Sequence, residues 1–400
     1  MRGTVLAAAL LVLAACGGSP GPTGQTTPSP SSPSNPPTPT AVTSPAFPSP
    51  TPGGPKPPSP ATFTCASQIP AGNELALVTL RNTSGIVVRD ISNISNPVTR
   101  CIFKGAGTYF RFVNATHVSY LVASDNGTGA LYLVDLRART TSLVRAWTNE
   151  GSLYWVYAWS PDGNTLSYLS SNGDKVAWHV LSAAGDVILS NLGSVPGRGV
   201  SPNYDDAMVG FSADGKYVAL EQTLTYTGTS APTGQTAPFQ VVRLSDRKVV
   251  YSRMNGTMAT WAGTGARLYY RTTAGVELWD PTSGPQIVVP QGLAWIHPWP
   301  SADGNRIAYE DANGVGNHFA AYLRLADKQA LRISPLPRFG AAFLNSTLVW
   351  YAEESVCKTQ CGLGGPPLTG RTYIKDLVTG TESLSIITAV FDSWPHIGAS

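Results

Sequence analysis

Short runs of alternating apolar and polar residues, separated by Gly, Pro, Asn and Asp, fill the chain from about residue 72 to its end. A period of two puts one side chain on a buried face of a strand and its neighbour on the other. In residues 156–190 the runs are "VYAWS", "TLSYLS", "KVAWHVL" and "DVILS", joined by Pro-Asp-Gly, Asn-Gly-Asp and Ala-Gly. Asp-Gly or Asn-Gly between apolar runs signals a hairpin, because these residues accept the left-handed backbone of a tight turn. The same four-run unit appears earlier as "YFRFV", "HVSYLVA", "ALYLVDL", "TSLVRAW" and later as "MATWA", "RLYYRT", "GVELWD", "QIVVP". No segment sustains an apolar period of 3.6, so the pattern predicts strands throughout.

Alignment on the aromatic before each first turn gives Phe112, Trp159, Phe211, Trp261, Trp299, Phe343 and Trp394, spaced 38 to 52 residues apart. Four-stranded units at that period are the mark of a β-propeller. The expected fold class is therefore all-β: a single propeller of seven four-stranded blades. Residues 72–103 supply three strands without an innermost one, and the terminal "AVFDSWPHIGAS" reads as an innermost strand without successors. The C-terminal strand is thus expected to complete the first blade and close the ring, which removes exposed strand edges.

"WSPDGNTLSY", "FSADGKYVAL" and "PSADGNRIAY" resemble the repeat of TolB-type propellers, shared by the propeller domains of prolyl-oligopeptidase-like enzymes. The other units have lost the Asp-Gly turn, as in "FVNATHV", "WAGTGARL" and "FLNSTLV". The resemblance implies an envelope-associated interaction role. The related peptidases carry their Ser, Asp and His in a separate α/β-hydrolase domain. Neither that domain nor the N-terminal domain of TolB itself is expected here.

The N-terminus adds a location. Arg2, the apolar "TVLAAALLVLAA" and Leu13-Ala14-Ala15-Cys16 resemble a bacterial lipoprotein signal. Residues 1–15 are expected to be the signal peptide, and Cys16 the lipidated residue that holds the protein on a membrane. Residues 16–62, rich in Pro, Ser, Thr and Gly, read as a disordered tether, and 63–400 as the propeller. The expected location is the extracytoplasmic side of the cell membrane. An even number of remaining cysteines in an exported chain implies disulfides. Of the three possible pairings, Cys65–Cys101 with Cys357–Cys361 is favoured. "CKTQC" lacks metal-site spacing and has no nearby His, so no metal is expected.

With 27 basic and 24 acidic residues, the chain offers no basic field for nucleic acid. HExxH, P-loop and post-strand GxGxxG motifs are missing, and GxSxG occurs once, at residues 17–21 in the tether. The five histidines fall on different strands or loops. Asp162, Asp214 and Asp303 precede Gly at turns, where Asp caps its own backbone. No catalytic residue and no cofactor is expected.

Binding chemistry on a rigid scaffold sits in its loops. The loops at 223–238 and 355–371 are long, fall on one face of the expected ring, and are joined there by a smaller Gly-rich loop at 311–317. Candidate residues for that face are Trp155, Arg198, Tyr204, Tyr226, Trp295, His297, Arg338 and Phe339. For each aromatic the competing assignment is packing between blades. The expected function is a monomeric, lipid-anchored propeller that binds a protein or cell-envelope polymer through this face without covalent chemistry. The alternative is a glycan lyase or hydrolase whose channel gathers two carboxylates, or a His and a carboxylate.

Overall fold

A computed structural model describes residues 56–394 except 67–68, 71–73, 94–95, 125–127, 149–156, 173–174, 195–208, 222–238, 255, 291–292, 314–315 and 359–366. The expected signal peptide, Cys16 and most of the expected tether lie outside the described residues. Every regular element among the described residues is a strand. They form seven antiparallel sheets, the blades of a propeller. Blades 2 to 7 occupy residues 108–148, 157–194, 209–253, 257–290, 296–332 and 338–385, four strands each. The inner strands of blades 3 to 7 touch in succession, and that of blade 1 touches that of blade 2.

Closure follows the expected route. Strand Ile387–Trp394 lies innermost in blade 1, with Trp394 opposite Leu75 and Asp392 opposite Leu77. Asp392 Oδ2 accepts the Phe112 N–H of blade 2 at 2.7 Å, and Ser393 Oγ donates to Phe343 O of blade 7 at 3.1 Å. One strand was not foreseen. Thr62–Cys65 pairs with Val98–Lys104 as a fifth, outermost strand of blade 1. Its register puts Cys65 opposite Cys101, and the two form the expected disulfide. Just before it, Pro58 O accepts Tyr132 Oη at 2.5 Å and Ala61 O accepts Tyr120 Oη at 3.3 Å. The last residues of the tether segment are therefore seated on blade 2.

The Ser-x-Asp-Gly turns are closed hydrogen-bonded units. In blade 3, Ser160 Oγ donates to Asp162 Oδ1 at 2.5 Å and accepts the Thr165 N–H at 2.9 Å. Blades 4 and 6 repeat this with Ser212 and Asp214, and with Ser301 and Asp303. Burial works to raise Asp162 and Asp303, but hydrogen bonds from Ser and from backbone and side-chain Asn groups outweigh it, so both stay below the usual carboxylate range. The glycine is needed for backbone and for space: Gly304 has φ +66°, and a Cβ there would lie 2.9 Å from Thr264 N of blade 5. In blades 2 and 7, where Asp-Gly is lost, Asn substitutes, with Asn114 Oδ1 accepting the Thr116 N–H and Asn345 Oδ1 accepting those of Thr347 and Leu348.

The core lies between blades. Trp159 packs with blade 2 residues Val113, Leu121 and Leu133 and donates Nε1–H to Ser119 Oγ at 2.8 Å. Trp261 reaches back to Gly210 O at 2.7 Å. In blade 6 the register corrects the aromatic alignment: Pro300, opposite Ile307, occupies the position of Trp159 opposite Leu166. Trp299 is one residue early, so it points to the other face and lines the channel. Spacing could not show this, because a one-residue shift along a strand inverts the face.

Candidate functional site

Four inner strands share an irregularity. Tyr109, Met258, His297 and Gly340 have φ of 52°, 55°, 46° and 74°. Each stands three residues ahead of its anchor: Phe112, Trp261, Pro300 and Phe343. The ladder register shifts at each of these places. Left-handed backbone at a non-glycine residue stores about 1–3 kcal/mol and persists only where its surroundings enforce it. At two of the four places, Met258 and Gly340, a carboxylate of the preceding blade holds the strand. Glu221 accepts the N–H groups of Met258 and Ala259 at 2.7 and 2.8 Å, and Glu310 accepts that of Gly340 at 2.7 Å. The register sets Ile296 opposite Glu310 and Arg338 opposite Glu353. The irregular residues therefore lie on the face that carries the loops between second and third strands. Tyr109 and His297 are exposed there.

Below this mouth, blades 6 and 7 bring two buried acids together. Burial pushes the Glu310 carboxyl up to about 8, against the pull of the Gly340 N–H, and nearby Glu354 adds to the rise. Among the described residues, Glu310 Oε2 is buried with no hydrogen-bond partner. Glu354 Oε1 is 2.9 Å from His318 Nδ1, and Oε2 accepts the His318 N–H at 3.3 Å. Asn317 Nδ2 donates to Cys357 O and Asn317 Oδ1 accepts the Cys357 N–H, fastening the second long loop to blade 6. Cys357 is disulfide-bonded. Its expected partner, Cys361, lies outside the described residues.

Of the candidate ligand-face residues, Trp155, Arg198, Tyr204 and Tyr226 lie outside the described residues. Trp295 is fully buried, stacked on Tyr309 at 5.1 Å and donating to Met258 O at 3.0 Å. It is packing between blades 5 and 6. Arg338 is also buried, 5.0 Å over the Tyr373 ring, donating to Pro337 O and 3.6 Å from Glu353. His297 stays exposed, and half-buried Phe339 meets the His318 ring edge-on at 5.5 Å. Two of the four described candidates thus belong to the mouth and two to the walls.

The channel holds a cavity of about 200 Å³ towards the Asp-Gly turns, lined by Arg111, Ala158, Gly210, Thr260, Trp299 and Asp392 among others. Its lining carries one carboxylate among the described residues, and Asp392 already accepts the N–H groups of Phe112 and Ser393. Glycoside hydrolysis by two carboxylates would need a second.

A third cluster escaped the sequence. On the blade 3 face that packs towards blade 2, Ser170 Oγ is 2.8 Å from His179 Nε2, and His179 Nδ1 is 3.2 Å from Asp186 Oδ1. Asp186 Oδ2 accepts Tyr168 Oη–H at 2.6 Å and the Arg145 guanidinium at 2.8 Å. Burial works to raise Asp186. Hydrogen bonds from His179 and Tyr168 and the charge of Arg145 outweigh it and hold the carboxyl down at about 2. The three residues sit on three successive strands. Only the register Tyr168↔His179 and Leu181↔Asp186 reveals their shared face.

The chain is a seven-bladed β-propeller, and solved structures show where it has likenesses. No protein-family model and no curated protein matches it. A prolyl endopeptidase aligns with a TM-score of 0.53 at 11% identity, over 81% of this chain and 49% of that one. The propeller domain of the Trilobed protease from Pyrococcus furiosus aligns at 0.49 and 12% identity, over 78% and 93%. TolB from Acinetobacter baumannii aligns at 0.42 and 14% identity, over 66% and 63%. The chain thus spans about half of the prolyl endopeptidase and under two thirds of TolB. At these identities the likeness is one of fold alone.

Proposed function

We propose that this protein is a lipid-anchored, extracytoplasmic propeller that binds a protein or cell-envelope polymer at the channel mouth on its long-loop face. The observation that carries the reading is the repeated left-handed position of the inner strands. Three non-glycine residues, Tyr109, Met258 and His297, are held in a strained conformation at equivalent places, with Phe339 beside the fourth. Packing alone does not require strain at an exposed residue, and strain of this kind clusters at binding and catalytic sites. Exposed Tyr and His on rigid strands suit a partner with mixed apolar and polar surface. The anchor would be the lipid on Cys16.

The test combines Tyr109→Ala, His297→Ala and Phe339→Ala in the full chain and measures co-sedimentation with purified envelope fractions. Binding should weaken about tenfold or more, the loss expected when interface anchors are truncated. The melting temperature should stay within a few degrees of wild type. Equal binding by the triple variant would overturn the assignment of the mouth. Cys16→Ala should shift the protein from the membrane to the soluble fraction, and retention on membranes would refute the anchor.

A further inference from the structure

The cluster on blade 3 lies away from the channel mouth, and its connectivity has a chemical direction. A carboxylate is an acceptor only. Asp186, ionised and accepting from Tyr168 and Arg145, must also accept from His179, so His179 Nδ1 carries the proton. The neutral ring then presents a bare Nε2 lone pair, 2.8 Å from Ser170 Oγ, and the hydroxyl donates to it. The ring is held flat against Tyr168, 4.8 Å between centroids and 15° between planes, and Arg145 covers the far side of Tyr168 at 4.8 Å. The register shifts between Trp178↔Ser190 and His179↔Ile188, which leaves Leu189 as an extra residue on the strand that carries Asp186. Such bulges recur beside active sites.

The geometry points to Ser170 as a nucleophile, with His179 as its general base and Asp186 as the residue that positions the base, acting on carboxylic esters. Nucleophile, base and orienting acid within hydrogen-bond reach are the defining relations of such a site, whatever the fold. Ser170 is half-buried, near the end of its strand on the long-loop side. Ile188, opposite His179 in the register and 52% exposed, adds an apolar side chain to the same side of the sheet.

In the first step Ser170 Oγ bonds to the ester carbonyl carbon while its proton passes to His179 Nε2. Collapse breaks the C–O bond to the alkoxide, which leaves with that proton as an alcohol. Water then attacks the acyl-serine, again giving a proton to His179, and the carboxylic acid departs as Ser170 recovers its hydrogen. Ester and water are consumed, and acid and alcohol are produced.

The test treats the full chain with a fluorophosphonate and locates the adduct by peptide mass spectrometry. Ser170 Oγ should form a bond to phosphorus with loss of fluoride. Heat-denatured protein should not react. His179→Gln, which keeps a hydrogen-bonding side chain of similar reach, should label at least about 100-fold more slowly, the usual contribution of a general base. Asp186→Asn should slow labelling and change its pH profile, while a folded Ser170→Ala protein should give no adduct. Circular dichroism confirms that each variant is folded. The proposal is overturned if Ser170 in folded wild type stays unmodified while a serine-protease control is fully labelled. It is equally overturned if the folded His179→Gln variant reacts at the wild-type rate, since the hydrogen bonds would then be structural only.

Discussion

Asp186 in blade 3 and Glu310 in blade 6 are both acids held among strands, yet the propeller keeps them in opposite states. Asp186 meets three side-chain donors, from His179, Tyr168 and Arg145, and stays ionised down to about pH 2. Among the described residues, Glu310 meets one, the Gly340 N–H, has a buried oxygen with no hydrogen-bond partner, and shares its surroundings with Glu354, so it holds its proton up to about pH 8. Burial disfavours the charge in both cases. The number of donors aimed at the carboxylate decides whether that cost is offset. One acid is thereby equipped to orient a base, and the other to fasten an irregular inner strand.

The contrast can be broken most visibly at Glu310. The unfolded chain releases this proton near pH 4.5 and the native state near 8, so native protein binds more protons in between and its stability falls as pH rises through that window. Glu310→Gln keeps the acceptor for Gly340 and removes the titration. Chemical denaturation should show the variant close to wild type at pH 4, gaining steadily to pH 8, and ahead by a few kcal/mol at pH 9. A difference that does not change with pH would show that Glu310 is ionised in the fold. Asp186→Asn should act in the opposite sense. Its folded value lies below the ordinary 3.8, so its stabilisation is present above pH 4 and disappears as pH falls towards 2. The same denaturation series should show a loss of about 1–3 kcal/mol at pH 7 and none at pH 2. Arg145→Ala should have the smallest effect, under about 1 kcal/mol, because its pair with Asp186 is partly open to water and two other donors remain. A larger loss would mean that Arg145, more than His179 and Tyr168, keeps Asp186 charged.

Legibility was uneven across these regions. Trp159, Asp162 and Gly163 could be placed from residue order alone, since a tight turn and its flanking hydrophobic residues are contiguous and governed by local stereochemistry. Ring closure could be read too, because three orphan strands at one end and one at the other satisfy each other. The channel position of Trp299 could not. Nor could the strand Thr62–Cys65, which borrows its partner from blade 1 although its composition resembles the tether before it. Trp295 and Arg338 were placed on a binding face by their position in the repeat, and the packing of neighbouring blades buries both.

The sequence by itself determined the all-β class, the seven-fold repeat, the Asp-capped turns and the closing strand. All of these rest on local turn chemistry or on a period that the chain repeats. Only the tertiary structure decided that Ser170, His179 and Asp186 form one relay and that Glu310 meets Glu354 behind Gly340. Their proximity depends on register and bulges between strands, where a shift of one residue reverses a face. Their charge states depend on how many donors the folded blades aim at each carboxylate, a quantity that no linear pattern carries.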